Sequence, residues 1–167
     1  MNLEFRPLTN ATVEKYLLEH CQVPDYLAKM SATFAQGNLG KAIRYVRSDD
    51  FIEKKDKIIY LLKNKRDMTL HEMMTIMKEI GENKDDVADY IDLMVLWYRD
   101  MLLYKATKDI NQLMFREYYS EISREASEKD YMKLEQILQA FEKAKTRIRA
   151  NVNFDVAIEL MLLSMTE

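Results

Sequence analysis

Residues 85–105 read DDVADYIDLMVLWYRDMLLYK, and their spacing decides the fold. Val87, Tyr90, Ile91, Met94, Trp97, Tyr98, Met101 and Leu102 recur at three- and four-residue steps, the period at which one side of an α-helix meets a core. The stretch predicts a helix from Asp85 to about Lys105, the longest in the chain. Trp97 and Tyr98 are neighbours and point about 100° apart on such a helix. At most one of them is therefore expected deep in the core, leaving the other to face a partner.

The same period extends in both directions. Toward the C-terminus it predicts helices over Phe115–Ser127, Asp130–Ala150 and Phe154–Met165. Tyr131, Leu134, Leu138, Phe141, Ala144 and Ile148 form the expected inner stripe of the second, and Ala157, Ile158, Met161, Leu162 and Met165 that of the third. Toward the N-terminus, Thr69–Ile80 is expected to be a helix ended by Gly81, and 51–64 another, supported by the Glu53–Lys57 pair one turn apart.

Ahead of the polar cluster Ser48-Asp49-Asp50 lie three shorter helices. Thr9 suits an N-cap for a helix to about Cys21, with Val13, Leu17 and Leu18 inward. Pro24 suits the first turn of the next, which runs to Ala35 with Tyr26 or Leu27, Met30 and Phe34 inward. Gly37 stops it, and Asn38 caps a third helix carrying Leu39, Ile43 and Val46 and ending near Arg47. Leu3–Leu8 reads as an extended lead-in closed by Pro7. The fold class is thus all-α: residues 1–48 form a small three-helix bundle and 49–167 a larger helical one. Only 3 Gly and 2 Pro in 167 residues agree with this, because a many-stranded β fold needs frequent turns. No fixed-period repeat suggests a solenoid.

Composition excludes several classes. A hydrophobic content of 48% supplies ample apolar surface for folding, which argues against disorder. A net charge of -3 gives no global case for nucleic acid. Residues 41–66 do hold nine basic side chains against four acidic ones, but helical charges ordinarily pair or face water, and that reading is preferred. Cys21 is the single cysteine, so neither an intrachain disulfide nor a cysteine zinc cluster is possible. No apolar run approaches the ~20 residues that span a bilayer. The N-terminus lacks the basic-then-apolar layout of a signal peptide, so no membrane role and a cytoplasmic location are expected.

A search for catalytic motifs finds only near misses. Gly37-Asn-Leu-Gly40-Lys41 resembles the end of a phosphate-binding loop, but Ala35 stands where that loop needs its first Gly and Ala42 where it needs a hydroxyl. His71-Glu72 begins like a zinc-protease helix, yet Thr75 occupies the position of the second His. His20 has no partner at ligand spacing, and no Glu-x-x-His pair exists for a di-iron site. No cofactor or metal is implied. Of the 12 methionines, Met73, Met74, Met77, Met94, Met101, Met161 and Met165 lie on helical faces, and core filling is the preferred reading over a partner groove.

The order of segments carries more than any motif. Phe5-Arg-Pro-Leu8 leads into a small bundle whose last joint is Ala35-Gln-Gly-Asn-Leu-Gly-Lys-Ala-Ile43. A larger bundle follows, with Trp97-Tyr-Arg-Asp-Met-Leu-Leu103 in its long helix and Asn151-Val-Asn-Phe154 before the Leu/Met-rich end. This resembles the C-terminal part of the subunits of the bacterial DNA polymerase III clamp loader, most closely the delta prime family. The resemblance implies that residues 1–48 are the lid of an AAA+ module and 49–167 a collar, the domain through which neighbouring subunits pack into a ring. It places Gly37 at the lid joint and Gly40 where ATP-hydrolysing subunits carry a sensor arginine. A glycine brings no charge to a phosphate, which fits the non-hydrolysing branch and not the gamma/tau motor subunit. An AAA+ core would precede Leu3, so the chain is expected to be a fragment.

The resemblance implies a non-catalytic assembly role, an accessory part of a DNA-directed DNA polymerase. Its partners would be the gamma/tau and delta subunits, reached through the collar, and it would meet the sliding clamp and primed DNA only within the full complex. Trp97 and Arg99, taken as exposed parts of the long helix, and Asn151, Asn153 and Leu163 near the end are the expected contacts. For the two asparagines a loop-capping role stands on equal footing. The alternatives are a stand-alone helical adaptor that binds a partner helix, a nucleic-acid binder using residues 41–66, and an enzyme with an unrecognised site.

Overall fold

The computed structural model describes residues 7–82 and 84–166, with the side chains of Lys84 and Asp85 left aside. The described residues form nine α-helices and no strand. These are α1 (Asn10–His20), α2 (Asp25–Ala35), α3 (Leu39–Arg47), α4 (Asp49–Asn64), α5 (Leu70–Ile80), α6 (Lys84–Thr107), α7 (Tyr119–Glu128), α8 (Tyr131–Arg149) and α9 (Phe154–Thr166). The predicted all-α class is therefore what the chain adopts. The chain forms two compact units that meet in sequence between Glu53 and Lys54, inside α4.

Local capping chemistry sets most helix starts. The side chains of Thr9, Asn38, Thr69 and Asp130 accept hydrogen bonds from the backbone N–H of Thr12, Lys41, Glu72 and Lys133, satisfying donors that the first helical turn leaves open. Ser48 Oγ does the same for Phe51 N at 3.2 Å, and for that reason α4 begins at Asp49 and not at 51. Pro24 stands at the N-cap of α2, one position before the first turn expected for it. The helix expected from Phe115 starts instead as a 3-10 turn over Arg116–Tyr118, and α7 begins at Tyr119. Of the lead-in at Leu3–Leu8, only Pro7 and Leu8 lie among the described residues, and both are outside regular structure.

In the first unit α2 packs on α1 and α3. Val13, Leu17, Leu27, Ala28, Met30, Ala42 and Val46 fill its core; of the alternatives Tyr26 and Leu27 it is Leu27 that is buried, whereas Phe34, Leu39 and Ile43, all expected inside, are half-buried. Leu18 is exposed at 38%. Phe34, Tyr45 and Phe51 compensate by packing on one another, Phe34 edge-on to both other rings and the Tyr45 and Phe51 rings tilted with centroids 4.7 Å apart.

In the second unit α6 packs on α7 and α8, and α9 on α5 and α8. All five residues expected on the inner stripe of α9 are buried. On α8 the stripe is displaced: Ile137 and Lys145 are buried with Leu134, Phe141 and Ala144, while Leu138 and Ile148 are half-buried and Tyr131 is 50% exposed. Contact with both α6 and α9 widens and turns the buried arc beyond one simple stripe. Met73, Met77, Met94, Met101, Met161 and Met165 are buried and Met74 half-buried, in line with gap filling between helices.

Candidate interaction surfaces

The joint between α2 and α3 is built from two unusual backbone positions. Gln36 is left-handed (φ 50) and Gly37 follows at φ 86. Gly37 is there for space as well as for φ, because a Cβ would lie 2.5 Å from both Leu8 O and Pro7 Cβ. Its carbonyl accepts from Leu8 N at 3.1 Å, tying the lead-in to the joint. Gly40 differs entirely. It sits exposed in the first turn of α3, and an added Cβ would meet only Asn38 Oδ1, at 3.5 Å. Nothing in the packing requires glycine there, and the position offers no cation. Lys41 is half-buried with its ammonium 5.7 Å from the Tyr45 ring centroid.

The structure corrects the expectation for Trp97. Its side chain is 1% exposed, packed on Phe115 and Tyr118 with ring centroids at 5.4 and 5.8 Å. Tyr98 is also fully buried, against Phe141, and its hydroxyl donates to Glu125 Oε2 at 3.0 Å. Two residues 100° apart are both inside because α6 is covered on more than one side: the segment before α7 closes over Trp97 through Phe115 and Tyr118, whereas Glu125 of α7 and Phe141 of α8 close over Tyr98. Arg99 is exposed as expected. With Val95 it faces Leu138, Gln139, Glu142 and Lys143 across a groove of about 390 Å³ between α6 and α8.

At the C-terminal end both asparagines do local work. Asn151 is left-handed (φ 57) just past α8, its N–H donating to Ile148 O while Val152 N donates to Arg147 O, which closes the helix. Asn153 Oδ1 accepts from Val156 N at 3.2 Å and caps α9. Each is exposed, so these roles leave the outer surface accessible. Leu163 is half-buried on α9.

Sequence reasoning missed the buried charges of the second unit. Lys65 and Glu125 form an ion pair with both side chains 6% exposed; Lys65 Nζ also donates to Leu62 O, and Lys129 Nζ approaches Glu125 Oε2 at 3.0 Å. Burial pulls the Lys65 ammonium below the ordinary lysine range, partly offset by Glu125. Burial alone would raise the Glu125 carboxyl, but the charges and hydrogen bonds of Lys65 and Lys129 outweigh it and hold it below the ordinary value. Burial, then Glu125, pushes the Tyr98 hydroxyl up, so it stays a hydrogen-bond donor. The Glu125–Lys129 spacing was visible as an i, i+4 pair; nothing local to Lys65 signals its burial. Asp100, 5% exposed, accepts from Met114 N at 3.0 Å and Phe115 N at 2.8 Å. Lys145 is held by Asp92 at 2.6 Å and Glu142 at 3.1 Å.

These pairs also resolve the basic stretch at 41–66. Lys55 is buried beside Asp56, Lys57 meets Glu79, Arg66 pairs with Glu128, and Lys54 and Lys63 lie over the Tyr90 and Tyr118 rings. A cavity of about 410 Å³ is lined by Lys65, Arg66, Met68, Lys129, Met165 and Thr166; of its three cations, Lys65 and Lys129 share Glu125 and Arg66 pairs with Glu128. The excess of base is thus largely spent within the protein. Among the described residues no group of His, Cys, Asp and Glu is arranged to hold a metal, and no helix is long and apolar enough to cross a membrane.

The fold and these surfaces define an all-helical protein whose distinctive features are helix faces and buried ion pairs. The chain is similar to DNA polymerase III subunit delta' of Bacillus subtilis (strain 168), with 24% identity over 168 residues. The match covers 99% of this chain and 50% of that protein, so the chain spans about half the length of the curated relative it matches. This whole-chain similarity agrees with the resemblance read from the order of its segments. No protein-family model and no solved structure matches it.

Proposed function

We propose that this chain is a non-catalytic assembly module of a bacterial DNA polymerase III clamp loader. The observation that carries this reading is the similarity to a delta' subunit, which runs across 99% of the chain and so includes both helical units. In this reading residues 1–48 are the lid and 49–167 the collar, and the module works in the cytoplasm as an accessory to a DNA-directed DNA polymerase. Gly40 supports a non-hydrolysing role, because the exposed first turn of α3 has room for an arginine and carries none.

The mechanism is scaffolding. Helix faces of the collar bury against the gamma/tau and delta subunits and hold the ring, so that changes in the motor subunits can act on the sliding clamp at primed DNA. Arg99 beside the α6–α8 groove and Leu163 on α9 are the contacts best placed for this. Trp97 acts from inside by fixing α6 against Phe115 and Tyr118. The test is to mix the folded chain with purified gamma/tau and delta subunits of the same organism and follow size-exclusion chromatography. Co-elution is expected; failure of the folded chain to enter any such complex overturns the reading.

A further inference from the structure

Helix α9 is apolar on two opposite sides. Ala157, Ile158, Met161, Leu162 and Met165 are buried where it packs on α5 and α8. On the other side Val156 is 49% and Leu160 46% exposed, with Leu163 half-buried. Steps of four and three residues place these three on one outward stripe, and Val152, 42% exposed, lies just before it. A helix at a finished surface turns polar residues outward, and a contiguous apolar stripe left exposed marks an interaction face.

The border of the stripe says what covers it. Asp155 and Glu159 are exposed along one flank, and α9 contains no Lys or Arg. That flank already takes a cation at one point, where Lys78 of α5 meets Asp155 at 3.4 Å. A second copy of the chain suits it poorly: antiparallel pairing about Leu160 sets the acidic flank against itself, in a chain of net charge -3.

We propose that the outward face of α9 docks an amphipathic helix of a different protein chain, whose apolar stripe is bordered by Lys or Arg. The proposal rests on the assembly reading and assigns it a surface and a partner chemistry. Leu160 anchors the apolar contact, Val156 and Leu163 flank it along the helix, and Glu159 supplies the electrostatic steering.

The experiment compares the full chain with its Leu160→Lys and Glu159→Lys variants, using purified gamma/tau and delta subunits as the probe. Tyr60→Lys, at a 58% exposed position on α4, is the control for a cation placed elsewhere. Circular dichroism melts verify folding, and Val156→Ser replaces Leu160→Lys if the latter does not fold. Leu160→Lys is expected to weaken association about tenfold or more, as loss of a central apolar anchor does. Glu159→Lys is expected to weaken it several-fold and to flatten its salt dependence, the mark of a lost rim charge. Wild-type association unchanged by either substitution overturns this proposal and leaves the assembly reading standing. No association of the wild-type chain overturns the assembly reading, and this proposal with it. Self-association of the chain abolished by Leu160→Lys makes the occupant a second copy and overturns the proposed partner.

Discussion

The ammonium of Lys65 and the carboxylate of Glu125, sixty positions apart in sequence, form an ion pair in the interior of the second unit, with Tyr98 donating to the carboxylate's other oxygen. Glu125 is the hub, since Lys129 shares it. Glu125→Gln leaves Lys65 buried without its counter-charge, and removing one partner of such a pair costs about 3–5 kcal/mol. Chemical denaturation of the variant is expected to show that loss. Pairing Glu125→Leu with Lys65→Met should recover part of it, because position 65 no longer holds a buried charge, although the Tyr98 hydroxyl loses its acceptor and Lys129 its counter-charge.

The same carboxyl makes a pH prediction. Its folded value lies below the ordinary 4.5, so its stabilising contribution is fully present above 4.5 and disappears as pH falls through the lower folded value. The difference in melting temperature between the wild-type chain and Glu125→Gln is therefore expected to be constant from neutral pH down to about 4.5 and to shrink below it. A difference that grows on acidification would refute this account of the cluster.

Gly37 and Gly40 should respond oppositely to alanine. At Gly37 the new methyl meets Leu8 O and Pro7 Cβ at 2.5 Å in a left-handed backbone, and strain of this kind costs about 1–3 kcal/mol. At Gly40 the methyl has room on a helical turn, where alanine is favoured over glycine by up to about 1 kcal/mol. Melting temperatures of the two variants should move in opposite directions, and Gly40→Arg should fold as well as the wild-type chain.

Asp100→Ala strips the acceptors from two backbone N–H groups at Met114 and Phe115. Phe115 N is buried and Met114 N part-buried; a stranded buried donor costs about 1–3 kcal/mol, so the variant is expected to lose at least that much. Hydrogen exchange at those two amides should accelerate well beyond that of the α8 core. Unchanged exchange there would mean that Asp100 does not hold this loop.

Asn153 separates capping from contact. Asn153→Ala removes the acceptor for Val156 N and should cost about 1 kcal/mol, whereas Asn153→Asp keeps a cap and should cost little. Equilibrium unfolding of the two variants measures this. If both lose the same stability, the side chain is not acting as a cap.

How much of this was legible beforehand depends on the range of the interaction responsible. Thr9, Asn38, Thr69 and Asp130 were readable as helix starts because a cap is completed within three residues. Gly37 was readable as a stop, though the close approach of Pro7 and Leu8 that makes it necessary was not. The inner residues of α9 followed from their period alone. Its exposed counterparts Val156 and Leu160 were equally visible as apolar letters, but only burial shows that they remain uncovered. Likewise Arg99 was placed correctly on the surface and Trp97 was not, since a period locates one inner face and cannot count the neighbours a helix has.

The sequence by itself determined that this protein is a succession of helices with these starts and stops, because caps, glycines and the 3.6-residue period act over a few neighbouring positions. It also carried, through the order of its segments, the likeness to a delta' subunit that a whole-chain match supports. Only the tertiary structure decided that Trp97 and Tyr98 are both inside, that Lys65 and Asp100 are buried, and that α9 keeps a bare apolar side. Burial depends on how many helices surround a position, and an ion pair between α7 and the 3-10 turn that follows α4 is closed across sixty residues by packing that no local pattern encodes.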